Sequence, residues 1–346
     1  MTAYKDLSIE ELEVLKAELD ARFKEIKAKD LKLDMSRGKP SIAQLDLAMG
    51  MMDVLSSEAD LTCEEGIDCR NYGVLDGIRE AKQLLADMTE VPKDNIVIMG
   101  NSSLNIMYDT VARSMTHGVM GSTPWCKLDK VKFLCPSPGY DRHFAITEHF
   151  GIEMITVPMT PEGPDMVYIF CSTSKISFPG SGVAAIAAST ANLVDIREQM
   201  KIQTIGHDKV NQLRHARFYK DIHGMVEHMR KHADILRPKF EAVLNVLDRE
   251  LEGLEIGEWT RPRGGYFISF DSLEGCAKAI VAKAKEAGVT MTSAGATFPY
   301  GKDPKDSNIR IAPSFPTPEE LGMAAEIFVL SVKLVSIEKI LAEKTA

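Results

Sequence analysis

The chain has 346 residues, 45% hydrophobic and 26% charged, which is an ordinary composition for one large or two medium-sized globular domains. Its net charge of −9 argues against general binding to nucleic acid or to an anionic membrane surface. The six cysteines lack metal-ligand spacing, no apolar run is long enough to span a membrane, and the charged amino terminus carries no targeting pattern. We therefore expect reduced thiols, no metal site and a cytoplasmic protein.

The first ninety residues predict two helices joined by an extended segment. Ser8 and Glu11 form a capping box, and the apolar residues that follow recur on one helical face, which predicts a helix over 8–29. The segment LDMSRGKPS, residues 33–41, is extended and rich in turn residues. A second helix is predicted over 76–90.

Strands and helices alternate in the middle of the chain, which predicts an α/β domain with a mostly parallel sheet. The predicted strands are 95–99, 130–135, 151–159 and 166–170. The segments GNSS, PSPGYDRH and CSTSK follow three of these strands. Because binding sites of such sheets lie at the carboxyl ends of the strands, we expect these segments to form the site.

The rest of the chain predicts a second, smaller α+β domain. Residues after 219 are mostly helical in pattern, with a kink expected at Pro238. A strand in GGYFISF, a helix near 273–287, a short strand in NIRIAP and a helix from Thr317 follow. We expect the large domain to span 45–235, and the small domain to combine 1–44 with 236–346.

Lys175 lies at the end of a predicted buried strand, in CSTSKISFPGSG. Burial favours the neutral amine, and a neutral lysine can attack an aldehyde. Two other interpretations stay open at this point. The lysine can extend from the strand end into solvent, or Ser172 and Lys175 can form the S-x-x-K pair of a serine acyltransferase, although the companion SDN and KTG elements are absent from the sequence.

Three further segments carry candidate binding residues. In NIVIMGNSSLNIMYD, a strand, a tight turn and a helix start bring free N–H groups and two serine hydroxyls together, which suits either a phosphate or a plain serine-capped turn. Tyr140 in PSPGYDRH can stack on a flat heterocycle. Arg310 in SNIRIAP needs an acidic partner, either internal or a substrate carboxylate. Together with an amine nucleophile, this set suits pyridoxal 5′-phosphate (PLP) acting on amino acids.

The motifs together resemble those of the class I aminotransferases, PLP-dependent enzymes of fold type I, and within them the bacterial aspartate aminotransferase subgroup described as MocR-like. The resemblance covers nearly the whole chain, in the order MSRGKPS, NYGVLDGIREA, GNSSLN, PSPGYDRH, STSKISFPGSG, PRGGYF and NIRIAPSFPTPEEL. It implies a three-layer large domain, here with an incomplete sheet, and a homodimer. It also implies transamination between an amino acid, expected to be L-aspartate or L-glutamate, and a 2-oxo acid.

The resemblance implies roles for individual residues. Lys175 would form the Schiff base with PLP and carry the proton during the reaction. Tyr140 would stack on the pyridine ring, and Tyr72 would reach the phosphate of the neighbouring subunit. Gly38 would lie beside the substrate, and Arg310 would bind its α-carboxylate. The phosphate would be bound by Asn101, Ser102, Ser103 and Ser172. Lys209 is a weaker candidate for a second substrate carboxylate.

Two departures from the family pattern stand out. This chain has Gly182 where the pattern S-K-…-P-G-x-R has an arginine that contacts the phosphate. Relatives also place two strand–helix units between the PSPGY turn and the lysine strand, and these carry an asparagine, a tyrosine and the aspartate that pairs with the pyridine nitrogen. Here only residues 144–174 separate His143 from Lys175.

Nothing in this short connection is expected to replace the missing aspartate. Asp165 precedes the lysine strand, and five strand residues would leave it roughly 16 Å from the lysine. The linker TPEGPD permits a hairpin between strands 151–159 and 166–170 but is too short for a parallel crossover. Two interpretations stay open. Either the sequence lacks an internal segment of an ordinary aminotransferase, or the protein is a catalytically impaired PLP-binding or regulatory dimer.

Overall fold

The structure, a computed structural model, describes residues 2–159 and 168–345. Its α-helices are α1 (Ile9–Lys27), α2 (Ile42–Asp46), α3 (Arg79–Thr89), α4 (Ser103–His117), α5 (Asp141–His149), α6 (Thr190–Gln203), α7 (Lys209–Tyr219), α8 (Ile222–Leu251), α9 (Ala277–Glu286) and α10 (Pro318–Thr345). Its β-strands are β1 (Leu33–Asp34), β2 (Ile96–Ile98), β3 (Lys132–Ser137), β4 (Glu153–Pro158), β5 (Tyr168–Ser172), β6 (Ala184–Ala188), β7 (Gly257–Trp259), β8 (Ile268–Ser272), β9 (Val289–Thr290) and β10 (Asn308–Ile311).

The sequence-predicted elements form, with ends that shift by a few residues. The capping box begins α1 as expected, since the Ser8 side chain accepts from the Glu11 N–H and the Glu11 carboxylate accepts from the Ser8 N–H. Helix α8 continues through Pro238, the residue at which a kink was predicted. Strand β6 was not predicted, because its alanine-rich sequence has little intrinsic preference for a strand.

The central sheet of the described residues is divided into two parts. Strand β6 lies between β2 and β5 and is antiparallel to both, so β2 and β5 run in the same direction. Strands β3 and β4 form a separate parallel pair. The predicted hairpin between strands 151–159 and 166–170 does not form, because β4 pairs with β3 and β5 pairs with β6. Residues 160–167, which include Asp165, lie outside the described residues.

The two parts of this sheet differ in burial. Every residue of β2 is buried, as are four of the five residues of β6. All five residues of β5 are only half-buried, and most residues of β3 and β4 are exposed or half-buried. Inner strands of α/β sheets are normally covered on both faces. The β2–β6–β5 part is thus the better covered of the two.

The hydrophobic cores follow the proposed division of the chain. One core draws its residues from 4–35 and 243–340, and it joins α1, α9 and α10 to the antiparallel sheet β10–β8–β7. Separate cores, with members from 48–225, lie around β2 and β6 and against the start of α8. This separation supports domains 45–235 and 1–44 with 236–346, which remain a prediction. The second boundary falls inside the continuous helix α8.

Several functional classes can be checked against the described residues. Within 2–159 and 168–345, no helix is both long enough and apolar enough to cross a membrane. Over the same residues, no cluster of three or more His, Cys, Asp or Glu side chains is arranged to hold a metal ion. All six cysteines are free thiols.

Candidate active site

The segments GNSS, STSK and PGSG meet at the carboxyl ends of β2 and β5. Because these strands run in the same direction, both end where β6 begins. Ser172, the last residue of β5, pairs with Ala184, the first residue of β6. On the other side, the Ala184 N–H donates to the Gly100 carbonyl at 2.8 Å, and Asn101 Nδ2 donates to the Gly180 carbonyl at 3.2 Å. The strand ends thus bring together the segments that the sequence singled out.

This edge of the sheet provides donors for an anion. Ser102 is the N-cap residue of α4 and its side chain makes no capping hydrogen bond, while Ser103 is the first helical residue. Unpaired N–H groups and the helix dipole make such a terminus favourable for phosphate. Ser172 Oγ donates to Ser174 Oγ at 3.1 Å on the neighbouring strand end. The donor set therefore fits the phosphate group of PLP.

A guanidinium approaches this edge from α7 instead of from position 182. A Cβ atom at Gly182 would lie 3.1 Å from Thr173 Oγ1, which is a tight contact. Arg214 Nη2 lies 2.6 Å from Ser181 Oγ, and Arg214 Nε is buried without a hydrogen-bond partner among the described residues. The sequence analysis missed Arg214, because nothing in its local pattern separates it from other helical arginines.

Lys175 extends towards the segment that carries Gly38. Its Nζ donates to the Gly38 carbonyl at 2.5 Å and lies 4.9 Å from the centre of the Tyr266 ring. The side chain is partly open to solvent, as one of the sequence interpretations expected. The surrounding protein nevertheless lowers the pKa of the Lys175 amine, because desolvation disfavours the charged form. A larger fraction of the amine is therefore neutral and nucleophilic than for a fully solvated lysine.

The serine acyltransferase interpretation lacks its central contact. That chemistry needs Lys175 to take a proton from Ser172. Instead, Ser172 Oγ donates to Ser174 Oγ, and the lysine amine donates to a backbone carbonyl. The geometry therefore gives no support to Ser172 as a nucleophile.

Gly38 and Phe267 connect the lysine to Arg310. A Cβ atom on Gly38 would lie 2.5 Å from Phe267 Cζ, so only glycine allows this approach. The Arg310 guanidinium lies over the Phe267 ring, with Cζ 4.7 Å from its centre. The amine, the glycine and the guanidinium are thus joined by one continuous set of contacts through Phe267.

Arg310 has an internal acidic partner, which was one of the two alternatives from the sequence. Its Nη1 lies 3.1 Å from Asp141 Oδ1. Its Nη2 is 3.5 Å from Thr292 Oγ1, and its Nε is buried with no hydrogen-bond partner among the described residues. A carboxylate binds a guanidinium through two parallel N–H bonds. The Nε N–H of Arg310 is thus left without an acceptor in the described part of the chain, while Asp141 holds the other side of the guanidinium.

The two tyrosines predicted to contact PLP lie towards solvent. Tyr140 is 44% exposed and packs edge-on against His143, with ring centres 5.1 Å apart. It adjoins Asp141, the partner of Arg310. Tyr72 is 81% exposed and contacts none of the other predicted site residues among the hydrogen bonds and ring pairs of the described chain.

Lys209 has a different role from the one its sequence context suggested. It is buried, and its Nζ donates to the carbonyls of Asn71 and Gly73, at 2.5 and 3.0 Å. These carbonyls flank Tyr72. The expectation that Lys209 binds a second substrate carboxylate is therefore not supported, because its amine anchors the Tyr72 loop.

The connection between His143 and Lys175 contributes no acid to the site from its described residues. Glu148 is exposed on α5, and Glu153 on β4 pairs with Lys130 at 2.5 Å. Asp165 lies outside the described residues. The chain thus fits the phosphate and aldehyde end of PLP, while this connection supplies no described partner for the pyridine nitrogen.

Comparisons with known proteins identify the family and the fold. The family model described as aspartate amino-transferase matches residues 7–169 and 167–344. An aspartate aminotransferase of Corynebacterium glutamicum is 36% identical over 417 aligned positions, which cover 96% of this chain and 96% of that protein. The crystal structure of an aspartate transaminase from C. glutamicum is 35% identical, has a TM-score of 0.95, and is matched over 98% of this chain and 99% of its own.

A more distant structure shares the fold. LysN, the α-aminoadipate aminotransferase of Thermus thermophilus, was solved with N-(5′-phosphopyridoxyl)-L-leucine. It is 16% identical and has a TM-score of 0.66, with coverage of 92% of this chain and 95% of that chain.

The matches also locate a discontinuity. The alignment with the C. glutamicum protein has 417 positions, 71 more than the 346 residues of this chain, so it contains positions at which this chain has no residue. The two segments of the family match meet at 167–169, next to the start of β5.

The expected fold class is confirmed by these structures, whereas the MocR-like subgroup remains a prediction. The family match extends over almost the whole chain, and a relative above 30% identity is covered nearly end to end. The chain therefore belongs to the aspartate aminotransferase family of PLP-dependent enzymes of fold type I.

Proposed function

We propose that this aminotransferase moves the amino group of L-aspartate or L-glutamate to a 2-oxo acid, with PLP bound covalently through Lys175. The observation that carries the proposal is the position of the Lys175 amine. The amine contacts Gly38, which packs against Phe267 below Arg310, while the turn that carries it adjoins Asn101 at the start of α4, and desolvation lowers the pKa of the amine. An amine in this position could react with the aldehyde of a phosphorylated cofactor. An amino acid substrate would then place its carboxylate at Arg310.

The chain's own residues divide the work of binding and proton transfer. When bound, PLP supplies the aldehyde and an electron-withdrawing ring. Asn101, Ser102, Ser103 and Ser172 would bind its phosphate. Tyr140 would pack on its ring, and Arg310 would bind the α-carboxylate of the substrate. Lys175 would hold the cofactor and then carry a proton to and from the substrate carbon.

The active form is proposed to be a homodimer in the cytoplasm. Tyr72 is highly exposed, yet buried Lys209 fixes the backbone on both sides of it. An exposed aromatic side chain on a fixed backbone supports a contact with a neighbouring subunit. The family resemblance implies that Tyr72 contacts the PLP phosphate of that subunit. The six free thiols favour a reducing compartment.

Borohydride trapping tests the proposed attachment. The purified full chain is incubated with PLP, reduced with borohydride, digested and mapped by mass spectrometry. We expect one stoichiometric reduced adduct on Lys175, with the other lysines unmodified. A panel of amino donors then tests substrate preference, and the proposal expects aspartate and glutamate to react at least about tenfold faster than alanine. Equal rates for alanine and aspartate would remove the dicarboxylate preference while leaving the aminotransferase assignment intact.

A second candidate, a catalytically impaired PLP-binding or regulatory dimer, is favoured by one observation. No described residue between His143 and Lys175 offers an acid to the site. We infer that ordinary relatives supply this acid from a segment that has no counterpart in this chain. The segment would lie near residues 167–169, where the two parts of the family match meet. The intact mass of the protein from its natural source distinguishes the two candidates. A mass well above 38.2 kDa, with turnover, supports the full enzyme, whereas 38.2 kDa with PLP bound and no turnover supports the second.

A further inference from the structure

The turn that carries Lys175 is held by its own backbone carbonyls. Tyr266 Oη donates to the Lys175 carbonyl at 3.2 Å. Tyr219 Oη donates to the next carbonyl, that of Ile176, at 2.8 Å, and His228 Nε2 lies at the same distance from it. The position of the lysine therefore depends on polar side chains from α7, α8 and the segment before β8.

Gln44 and His232 join these contacts into one network. Gln44 Nε2 donates to Tyr266 Oη at 2.9 Å and lies 3.3 Å from His232 Nδ1. His232 Nε2 lies 3.0 Å from His228 Nε2. Gln44 is completely buried, and both histidines are buried as well. We call Gln44, Tyr219, His228, His232 and Tyr266 the lysine-support network.

The hydrogen-bond directions in this network are constrained. Gln44 Oε1 accepts from the Ser41 N–H at 3.0 Å, so the amide NH2 of Gln44 faces Tyr266 and His232. His232 Nδ1 then faces a donor, and His232 Nε2 faces His228 Nε2, whose own proton points to the Ile176 carbonyl because a carbonyl can only accept. A second proton on His232 would point at the Gln44 NH2 group without an acceptor. Consistent with this, burial and the neighbouring His228 lower the pKa of His232 to about 4.

The network begins in the segment that also receives the lysine amine. Gly38 accepts from Lys175 Nζ, and six residues later Gln44 is part of the capping box with Ser41 that begins α2. Segment 38–44 therefore contacts both ends of the lysine, its amine directly and its backbone through Gln44 and its partners. A shift of this segment would act on both ends together.

We propose that His232 is a positioning residue for Lys175, acting through Gln44–Tyr266 on one side and His228 on the other. His232 does not touch the amine. It connects the two groups of side chains that fix the carbonyls of residues 175 and 176, and so sets where the amine lies. The inference rests on the proposed function only in taking Lys175 as the reactive amine.

The test measures the amine itself in the PLP-free full chain. Trace acetic anhydride labels neutral amines, and a peptide map gives the labelling of Lys175 as a function of pH. In His232→Leu the turn loosens and the amine gains water, so its pKa rises towards that of a solvated lysine. We expect the pH of half-maximal labelling to rise by about 0.5 or more, which reduces labelling at a fixed lower pH about threefold. His232→Gln, whose amide keeps both a donor and an acceptor at this position, restores part of this loss.

The controls separate positioning from general stability. His223→Leu makes the same change at an exposed site on the same helix and should leave the Lys175 midpoint unchanged. Tyr266→Phe removes only one hydroxyl, keeps the packing and should shift the midpoint in the same direction as His232→Leu. A His232→Leu protein that melts earlier but labels Lys175 like the wild type would overturn the proposal. If that variant does not fold, an unchanged midpoint in Tyr266→Phe overturns it and a raised midpoint supports it. Failure of the proposed function would appear separately, as the absence of a trapped PLP adduct in the unmodified protein.

Discussion

The two parts of the central sheet, β2–β6–β5 and β3–β4, differ in how well other elements cover them. Around β2 and β6, strands are buried and their loops are bonded to one another, so the phosphate and lysine end of the site is well defined. Around β3 and β4, Leu134 is 64% exposed and Ile155 is 36% exposed. The alignment with the C. glutamicum protein also contains positions at which that protein has residues and this chain has a gap. The turns that carry Asn101 and Lys175 thus follow strands of the better-covered part of the sheet.

The largest effect is expected at Lys175, on the covered part. Lys175→Ala removes both the attachment point and the proton carrier, so transamination should fall by about a thousandfold or more. The trapped PLP adduct should disappear, while the fold, measured by circular dichroism, stays intact. Lys302→Ala, at an exposed position, is the matched control. A trapped adduct that persists in Lys175→Ala would refute the assignment.

Stability should differ between the two parts in the same way. Ile186 on β6 is completely buried, so Ile186→Ala should lower the free energy of unfolding by about 2–5 kcal/mol. Ile155→Ala on β4 should cost less than about 1 kcal/mol, because much of that side chain is already in water. Urea denaturation measures both. Equal losses would show that β4 is as well covered in solution as β6.

Arg310 tests the far end of the substrate site. Arg310→Lys keeps the charge but loses the planar pair of donors, so kcat/KM for a dicarboxylic amino acid should fall about tenfold to a hundredfold. Arg261→Lys, in an exposed pair with Asp248, provides the control. PLP trapping on Lys175 should be unaffected in both proteins. A change in trapping would indicate that Arg310 supports the fold of the site instead of binding the carboxylate.

The pH dependence of stability should report the buried histidines behind the lysine turn. Burial lowers the pKa of His215 to about 4, from 6.5. The unfolded chain therefore binds a proton between these values that the folded chain does not, so stability is complete above pH 6.5 and falls as the pH drops towards 4. Denaturation at pH 7, 6, 5 and 4 measures this loss. His215→Gln should make the dependence shallower, and an equally steep loss in this variant would exclude His215 as a source.

The parts of the candidate site that lie at strand ends could be predicted from the sequence. GNSS and STSK each follow an apolar run, and strands that run in the same direction must end at the same edge of a sheet. Strand β6 between them escaped prediction because alanine favours no strand. Lys209 could not be assigned, since only the folded loop shows that its amine bonds to the carbonyls beside Tyr72. The short linker near 165 predicted an internal segment missing relative to the family, which remains a prediction, and it did not predict the pairing of β4 and β5.

The lysine-support network shows a second limit of prediction. His228 and His232 lie four residues apart on a long helix, which gives them a common face. Their sequence context is charged and carries no sign of burial. Gln44 sits in a five-residue helix that the sequence did not predict. Only tertiary packing brings these side chains to the turn, so the motif PRGGYF was recognised while the contacts of its tyrosine were not.

The hydrogen bond from the Lys175 amine to the Gly38 carbonyl affects the state of the free amine. A carbonyl accepts a hydrogen from a charged or a neutral amine, although the bond to the charged form is the stronger one. The neutral amine can donate one hydrogen to Gly38 and still direct its lone pair elsewhere. The Gly38 carbonyl thus holds the amine without occupying its lone pair, and the absence of a side chain on Gly38 lets Phe267 pack beside it.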